Sequence, residues 1–160
     1  MDVSLPHVKF SSQLSVYDDV VWADVRHLPF RNKSVDMVLI VDVLEHLSKK
    51  QGIEVLGKIE NIPKKVVVLT TPNGCWPQPG YTQFSAHRSS WTTKEMNEVG
   101  YVVVGVGFRG LRILELTNSG LRRSLFSYVR NILHAVLRPL SRRAPSIGDL
   151  LIAYKFTNLT

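Results

Sequence analysis

Ala23-Asp24-Val25-Arg26-His27-Leu28-Pro29-Phe30, followed by Ser34-Val35-Asp36-Met37-Val38-Leu39-Ile40-Val41-Asp42-Val43-Leu44-Glu45-His46-Leu47, decides how this chain folds. A short strand ends in an acid, a tight loop carries Leu-Pro-Phe, and a second, almost wholly apolar strand ends in another acid. Near-continuous apolar runs suit strands buried on both faces of a parallel sheet. The carboxyl ends of such strands are where open α/β sheets present side chains to a ligand. Asp24 and Asp42 are the first candidates for that role. No Gly-rich strand-to-helix turn precedes them.

Outward from this stretch the pattern alternates. Leu5 to Leu14 reads as a short helix, with Ser4 as its cap and Pro6 tolerated in the first turn. Val20 to Val25 is β-branched and apolar, hence a strand. Ser48 to Ile62 has a cap followed by Ile53, Leu56, Ile59 and Ile62 at helical spacing. Val66 to Thr71 is a further buried strand, halted by Pro72-Asn73-Gly74. The loop over 72–90 is long enough to be functional. Thr92 to Val99 carries a capping box through Glu95 and closes at Gly100. Tyr101 to Val106 and Leu150 to Phe156 are strands, and between them residues 121–140 repeat apolar side chains at helical spacing, with Pro139 ending or kinking that helix. Strands alternating with helices predict a doubly wound α/β sheet.

The 160 residues suffice for one domain with a sizeable core, and the hydrophobic content of 44% is that of a globular protein. The single cysteine, Cys75, excludes an intrachain disulfide and suits a reducing cytoplasm. Met1-Asp2-Val3-Ser4 opens no signal peptide, and no apolar run reaches the length of a membrane span, so a soluble cytoplasmic protein is expected. The net charge of +7 is localised: Arg122, Arg123, Arg130, Arg138, Arg142 and Arg143 fall within 121–143, a segment with no acid, and setting those six aside leaves +1. A fold that binds nucleic acid across its whole surface would spread the charge more widely. The basic segment reads either as a helix packed on the sheet with a solvated rim or as a patch for an anionic membrane surface or RNA.

Over about residues 1–110 and the last strand, the chain resembles the class I S-adenosylmethionine-dependent methyltransferases, in particular their type 11 branch. The pieces that carry the resemblance are Asp24-Val25 with Leu28-Pro29-Phe30, Ser34-Val35-Asp36-Met37-Val38, Val43-Leu44-Glu45-His46-Leu47, Thr71-Pro72-Asn73-Gly74 and His87-Arg88-Ser89-Ser90-Trp91-Thr92, in that order. It implies a Rossmann-like fold, methyl transfer and S-adenosyl-L-methionine as cofactor. Asp24 would accept a hydrogen bond from the adenine amine beside the Val25 amide, Asp2 would hold the ribose hydroxyls, and Asp42 would lie where cofactor and acceptor meet. Asp36, inside its strand, would be a buried structural acid. His87 would border the acceptor pocket as a base or orienting group, and Trp91 would anchor the following helix in the core.

Asp42-Val43-Leu44-Glu45-His46 also resembles the acid-x-x-Glu-His metal site of certain O-methyltransferases, including those that modify ubiquinone precursors and RNA 3′ ends. Asp42, Glu45, His46 and His87 would then be ligands. The alternative has Glu45 and His46 opening a helix and bonding local backbone.

The family's Gly-rich first loop has no counterpart here. Gly105-Val106-Gly107-Phe108-Arg109-Gly110 follows a late strand and lacks the downstream acid of a dinucleotide fingerprint. The expectation is one incomplete domain over 1–160, without its first strand and helix and with a basic helical insertion at 121–143. Hydrogen-bonding edges would then be exposed in the middle of the sheet, to be completed by a missing N-terminal segment or a partner chain. Two functions follow. One is a methyltransferase acting on a small-molecule, lipid or RNA acceptor; the other is a catalytically inactive methyltransferase-like scaffold that uses the basic helix to hold a partner.

Overall fold

The computed structural model describes residues 1–74, 84–107, 135 and 138–157. Its elements run α1 (Leu5–Ser12), β1 (Val35–Val41), a 3-10 turn (Leu44–His46), α2 (Lys49–Ile59), β2 (Pro63–Pro72), α3 (Thr93–Glu98), β3 (Val102–Val106), a second 3-10 turn (Pro145–Ile147) and β4 (Leu150–Phe156). The sheet order is β1-β2-β4-β3. Among the strands of the described residues β1 and β2 pair in parallel, and β4 is antiparallel to both its neighbours. The sheet is therefore an α/β sheet of mixed direction, consistent with the Rossmann-like fold expected. Sequence periodicity does not encode the direction in which the last strand enters.

Local chemistry sets the helix boundaries. Ser48 and Thr92 each accept the N3 amide of their helix and receive the reciprocal bond from Gln51 and Glu95, so both starts are capping boxes. The sheet row Ile40, Leu69, Ala153, Val103 is buried throughout and packs with Val55, Leu56 and Ile59 of α2, Met96 of α3, and Trp91. Among the described residues Trp91 is the largest side chain fully inside, as expected of a core anchor. It lies against Gly52 so closely that a β-carbon there would come within 2.5 Å of its ring. The buried stripe of α2 is therefore Gly52, Val55, Leu56 and Ile59, and Ile53, expected on that stripe, is exposed.

The next row, one residue along each strand, is different. Leu39 and Val102 are exposed, and Val68 and Tyr154 between them are only partly covered. Met37 and Val41 share the exposure of Leu39. The expectation that Val35 to Val41 is buried on both faces is corrected here. Among the described residues β1 pairs with β2 alone, so it is an edge strand with one bare apolar face. Asp36 is corrected with it: its side chain is exposed and meets Lys65 at 3.1 Å on the surface.

Residues 1–30 are held lightly. No residue of α1 is buried. The strand expected over Val20 to Val25 is reduced to a single parallel bridge between Trp22 and Asp2, flanked by the bonds Asp2 N–H to Val21 O and Ala23 N–H to Asp2 O. With one residue of partner on one side, no ladder extends. The basic segment 121–143 falls outside the described residues except for 135 and 138–143; the latter run is helical through Pro139 and exposes Arg138, Arg142 and Arg143. Cys75 lies outside the described residues.

Candidate active site

Two clusters stand at the carboxyl ends of the parallel segments. The first begins where β1 ends. Asp42 takes a left-handed conformation, φ +49°, which Asp tolerates better than most side chains. The Thr70 hydroxyl donates to Asp42 Oδ1 at 2.8 Å and holds it against β2. The chain then turns through Leu44–His46, which drives Glu45 inward to 2% exposure. There Thr71 Oγ1 donates to Glu45 Oε2 at 3.1 Å. Burial pushes the Glu45 carboxyl above the ordinary carboxylate range; the nearby Asp42 charge adds to this, and the Thr71 bond and His46 offset part of it.

The loop after residue 83 is fastened onto this turn. Arg88 and Ser89 N–H groups donate to the Glu45 carbonyl at 2.7 and 3.0 Å, and Ser89 Oγ donates to the Leu44 carbonyl at 3.1 Å. His46 Nδ1 is 3.2 Å from the Ala86 carbonyl. A carbonyl only accepts, so Nδ1 is the donor in this contact. The His87 ring meets the His46 ring edge-on, centroids 5.0 Å apart. One donor atom from each of Glu45, His46 and His87 lies within 4.8 Å of the others. Asp42 is not in that group, although the sequence suggests it.

The second cluster contains Asp2 and Asp24. The Asp2 carboxylate accepts the Ser4 N–H at 2.7 Å just ahead of α1. Its parallel bridge with Trp22 sets it beside the segment that leads to Asp24. Asp24 is clasped by its own neighbour: Arg26 N–H and Nε donate to Oδ1 at 2.9 and 3.0 Å, and Arg26 Nη2 donates to Oδ2. The Arg26 side-chain bond holds the Asp24 carboxyl below its usual range, against a smaller opposing effect of burial. Lys58 Nζ donates to the Arg26 carbonyl at 3.2 Å and ties this loop to α2, while Val25 and Leu28 pack on the core.

Sequence reasoning missed the partners rather than the acids. Arg26, Thr70 and Thr71 went unremarked as site residues. Asp-x-Arg within one turn is a legible signal for a clasp, but nothing in β2 foretells that two successive threonines each bind a different acid.

A family model described as "Methyltransferase domain" matches residues 1–65. A chain of the complex between the Haloferax volcanii Trm112 methyltransferase activator and a methyltransferase superposes with a TM-score of 0.56 at 13% identity, over 98% of this chain and 69% of that one. A SAM-dependent methyltransferase from Archaeoglobus fulgidus gives 0.51 at 18% identity, over 96% of this chain and 73% of its own. The chain has the fold of the S-adenosylmethionine-dependent methyltransferases, and its residues 1–65 match a methyltransferase-domain family model. At these identities the structural likenesses speak for the fold, and the family match covers the segment bearing Asp2, Asp24, Asp42, Glu45 and His46. An uncharacterized protein of Methanocaldococcus jannaschii is 24% identical over 105 residues, which are 65% of this chain; the chain spans 45% of that relative's length. No helix among the described residues is long and apolar enough to cross a membrane.

Proposed function

We propose that this methyltransferase domain binds S-adenosylmethionine at the carboxyl ends of its parallel segments and transfers the methyl group to a small-molecule, lipid or RNA acceptor in the cytoplasm. The observation that carries this reading is the pair of acid clusters at those ends, one behind Trp22 and one behind β1. The donor chemistry fits the cofactor. Carboxylates only accept, and they stand on neighbouring segments where two hydroxyls and an exocyclic amine need acceptors. Asp2 would hold the ribose hydroxyls. Asp24 would take the adenine amine with the Val25 amide beside it. Asp42 would lie next to the reacting end, and His87 would orient the acceptor and hold its proton at a ring nitrogen.

The cofactor brings a methyl group already activated on a sulfonium, so the protein's task is alignment. The left-handed placement of Asp42, held by Thr70, and the fastening of 84–90 onto the Glu45 turn serve that task. Arg26 occupies both Asp24 oxygens, so cofactor entry requires it to swing out. Its side chain is 36% exposed, which gives it room to do so. The open edge of β1 supports a further element in the working protein: an added parallel strand, from other polypeptide in the same chain or from a partner. That the Haloferax volcanii methyltransferase is found with an activator makes a partner a reasonable source.

A second reading, a non-catalytic methyltransferase-like subunit, is favoured by the same Arg26 clasp and bare edge. Calorimetric titration of the 160-residue chain with S-adenosylhomocysteine separates the two. Binding that is abolished in Asp24→Ala supports the enzyme; a folded chain that takes up no ligand supports the subunit, whose exposed Arg138, Arg142 and Arg143 would then be tested against RNA and anionic vesicles.

A further inference from the structure

We propose that Arg138, Leu140, Arg142 and Arg143, at the carboxyl end of the parallel strands, dock this chain on an anionic lipid surface. The acceptor would then be a molecule carried in or on that surface, a clause that rests on the methyltransferase reading above. The docking itself does not.

The strand registers fix where these residues stand. Val41 pairs with Thr70, so Pro72 lies at the end of the sheet that carries Asp42. Leu150 pairs with both Pro72 and Val106, which brings the end of β3 there as well. The helical residues 138–143 are seated at that end on Gly105 of β3, where a β-carbon would come within 2.6 Å of the Ser141 carbonyl oxygen. Asn73, just past β2 and 3% exposed, fastens the turn that follows. Its side-chain amide donates to the Ser146 and Gly148 carbonyls at 2.9 and 2.8 Å. The run is thus a fixed part of the end that bears the candidate active site.

What the run shows to solvent decides between the two readings of its sequence. Of residues 138–143 only Ser141 is buried. A helix packed on the sheet with a solvated basic rim would turn its leucine inward. Leu140 is instead half exposed, and Arg138, Arg142 and Arg143 around it are exposed too. The sequence that leads into the run keeps this chemistry: residues 121–137 add Arg122, Arg123 and Arg130 and hold no acid. The loop 84–90, fastened to the Glu45 turn at the same end, adds exposed Phe84 and Arg88.

Arginines interleaved with an exposed apolar side chain suit an interface, where guanidinium groups meet lipid phosphates and the leucine enters the acyl boundary. An RNA backbone would use the arginines and leave Leu140 without a role. The strand order sets β3 three strands from β1, about 14 Å at the usual spacing, beyond a Debye length of about 8 Å. The arginines therefore hold the site end against a surface and do not act on the reacting atoms.

The test is co-sedimentation of the 160-residue chain with vesicles of phosphatidylcholine alone and of phosphatidylcholine mixed with phosphatidylserine. Binding is expected to the mixed vesicles, and it should weaken as salt is raised. Arg138→Gln, Arg142→Gln and Arg143→Gln together are expected to weaken it at least about tenfold, and Leu140→Ser severalfold. Arg31→Gln with Lys65→Gln, at the opposite end of the sheet, and Leu39→Gln, on the bare sheet face, are expected to leave it unchanged. Equal binding to the neutral vesicles, or binding that the triple arginine variant retains, overturns the proposal. So does loss in Leu39→Gln, which would assign the lipid to the bare face. Tighter binding of a single-stranded RNA oligonucleotide than of mixed vesicles, lost in the triple variant and kept in Leu140→Ser, overturns it in favour of RNA. Titration with S-adenosylhomocysteine is read separately. A chain that docks but takes up no ligand removes the methyltransferase reading and leaves the surface; a chain that takes up ligand and ignores the vesicles does the reverse.

Discussion

The row Ile40, Leu69, Ala153, Val103 and the row one residue away, Leu39, Val68, Tyr154, Val102, lie on opposite faces of one sheet and live in different worlds. The first is sealed under α2, α3 and Trp91. The second is apolar yet open at both ends. Burial of apolar area is the main favourable term in folding, so the covered face carries the stability of this chain. The open face carries apolar side chains that contribute little until something covers them. The acids divide along the same line. Asp42 and Glu45 hang from the covered sheet, whereas Asp2 and Asp24 hang from a segment fastened by one bridge and a few loop contacts.

The comparison can be broken or sharpened by substitution. Trp91→Ala is expected to cost about 3–5 kcal/mol in urea unfolding; Leu39→Ala, on the open face, is expected to cost under about 1 kcal/mol. Equal costs would mean that the two faces are not energetically distinct. Gly52→Val puts a side chain into the Trp91 ring and is expected to cost about 1–3 kcal/mol. Gly57→Ala in the same helix meets nothing within 4 Å and is expected to gain up to about 1 kcal/mol. The opposite signs would locate the covered face on α2.

Smaller effects test the lightly held side. The Asp24 carboxyl is depressed below 3.8 by Arg26, so the pair's stabilisation is present above that pH and fades as pH falls through the depressed value. Both side chains are partly exposed, and screening limits the contribution to about 1 kcal/mol or less. Arg26→Ala should therefore lower the melting temperature slightly at neutral pH and not at all once Asp24 is protonated. It should also strengthen S-adenosylhomocysteine binding, because the acceptor is freed. Smallest in stability is Leu39→Lys, expected within about 0.5 kcal/mol; its signature is weaker binding of a hydrophobic dye and less self-association, since exposed apolar edges pair with one another.

Much of the covered half was legible because local rules and tertiary packing agree there. Ser48 caps its helix as expected, Thr92 with Glu95 does so as their spacing announces, and Leu150 to Phe156 is a strand over its full predicted length. The open half misled. Val35 to Val41 is apolar enough for burial on both faces, and pattern alone cannot say whether a neighbour is present to bury it. Val20 to Val25 has strand propensity with no ladder to join, which is how propensity yields to context. At the site, the acids and histidines were visible as residue types in order. That His87 joins Glu45 and His46 while Asp42 does not depends on a left-handed turn and on two threonine hydroxyls, which composition and spacing do not encode.

The most direct measurement is amide hydrogen exchange on the 160-residue chain with and without S-adenosylhomocysteine. The account predicts slow exchange for Val67–Thr71, Leu151–Ala153 and α2 in both conditions. It predicts much faster exchange for residues 2–26, slowed by the ligand together with residues 42–46. Residues 2–26 as protected as β2 in the free chain would contradict the division into a covered and an open half; a folded chain in which the ligand slows no amide would contradict the cofactor site.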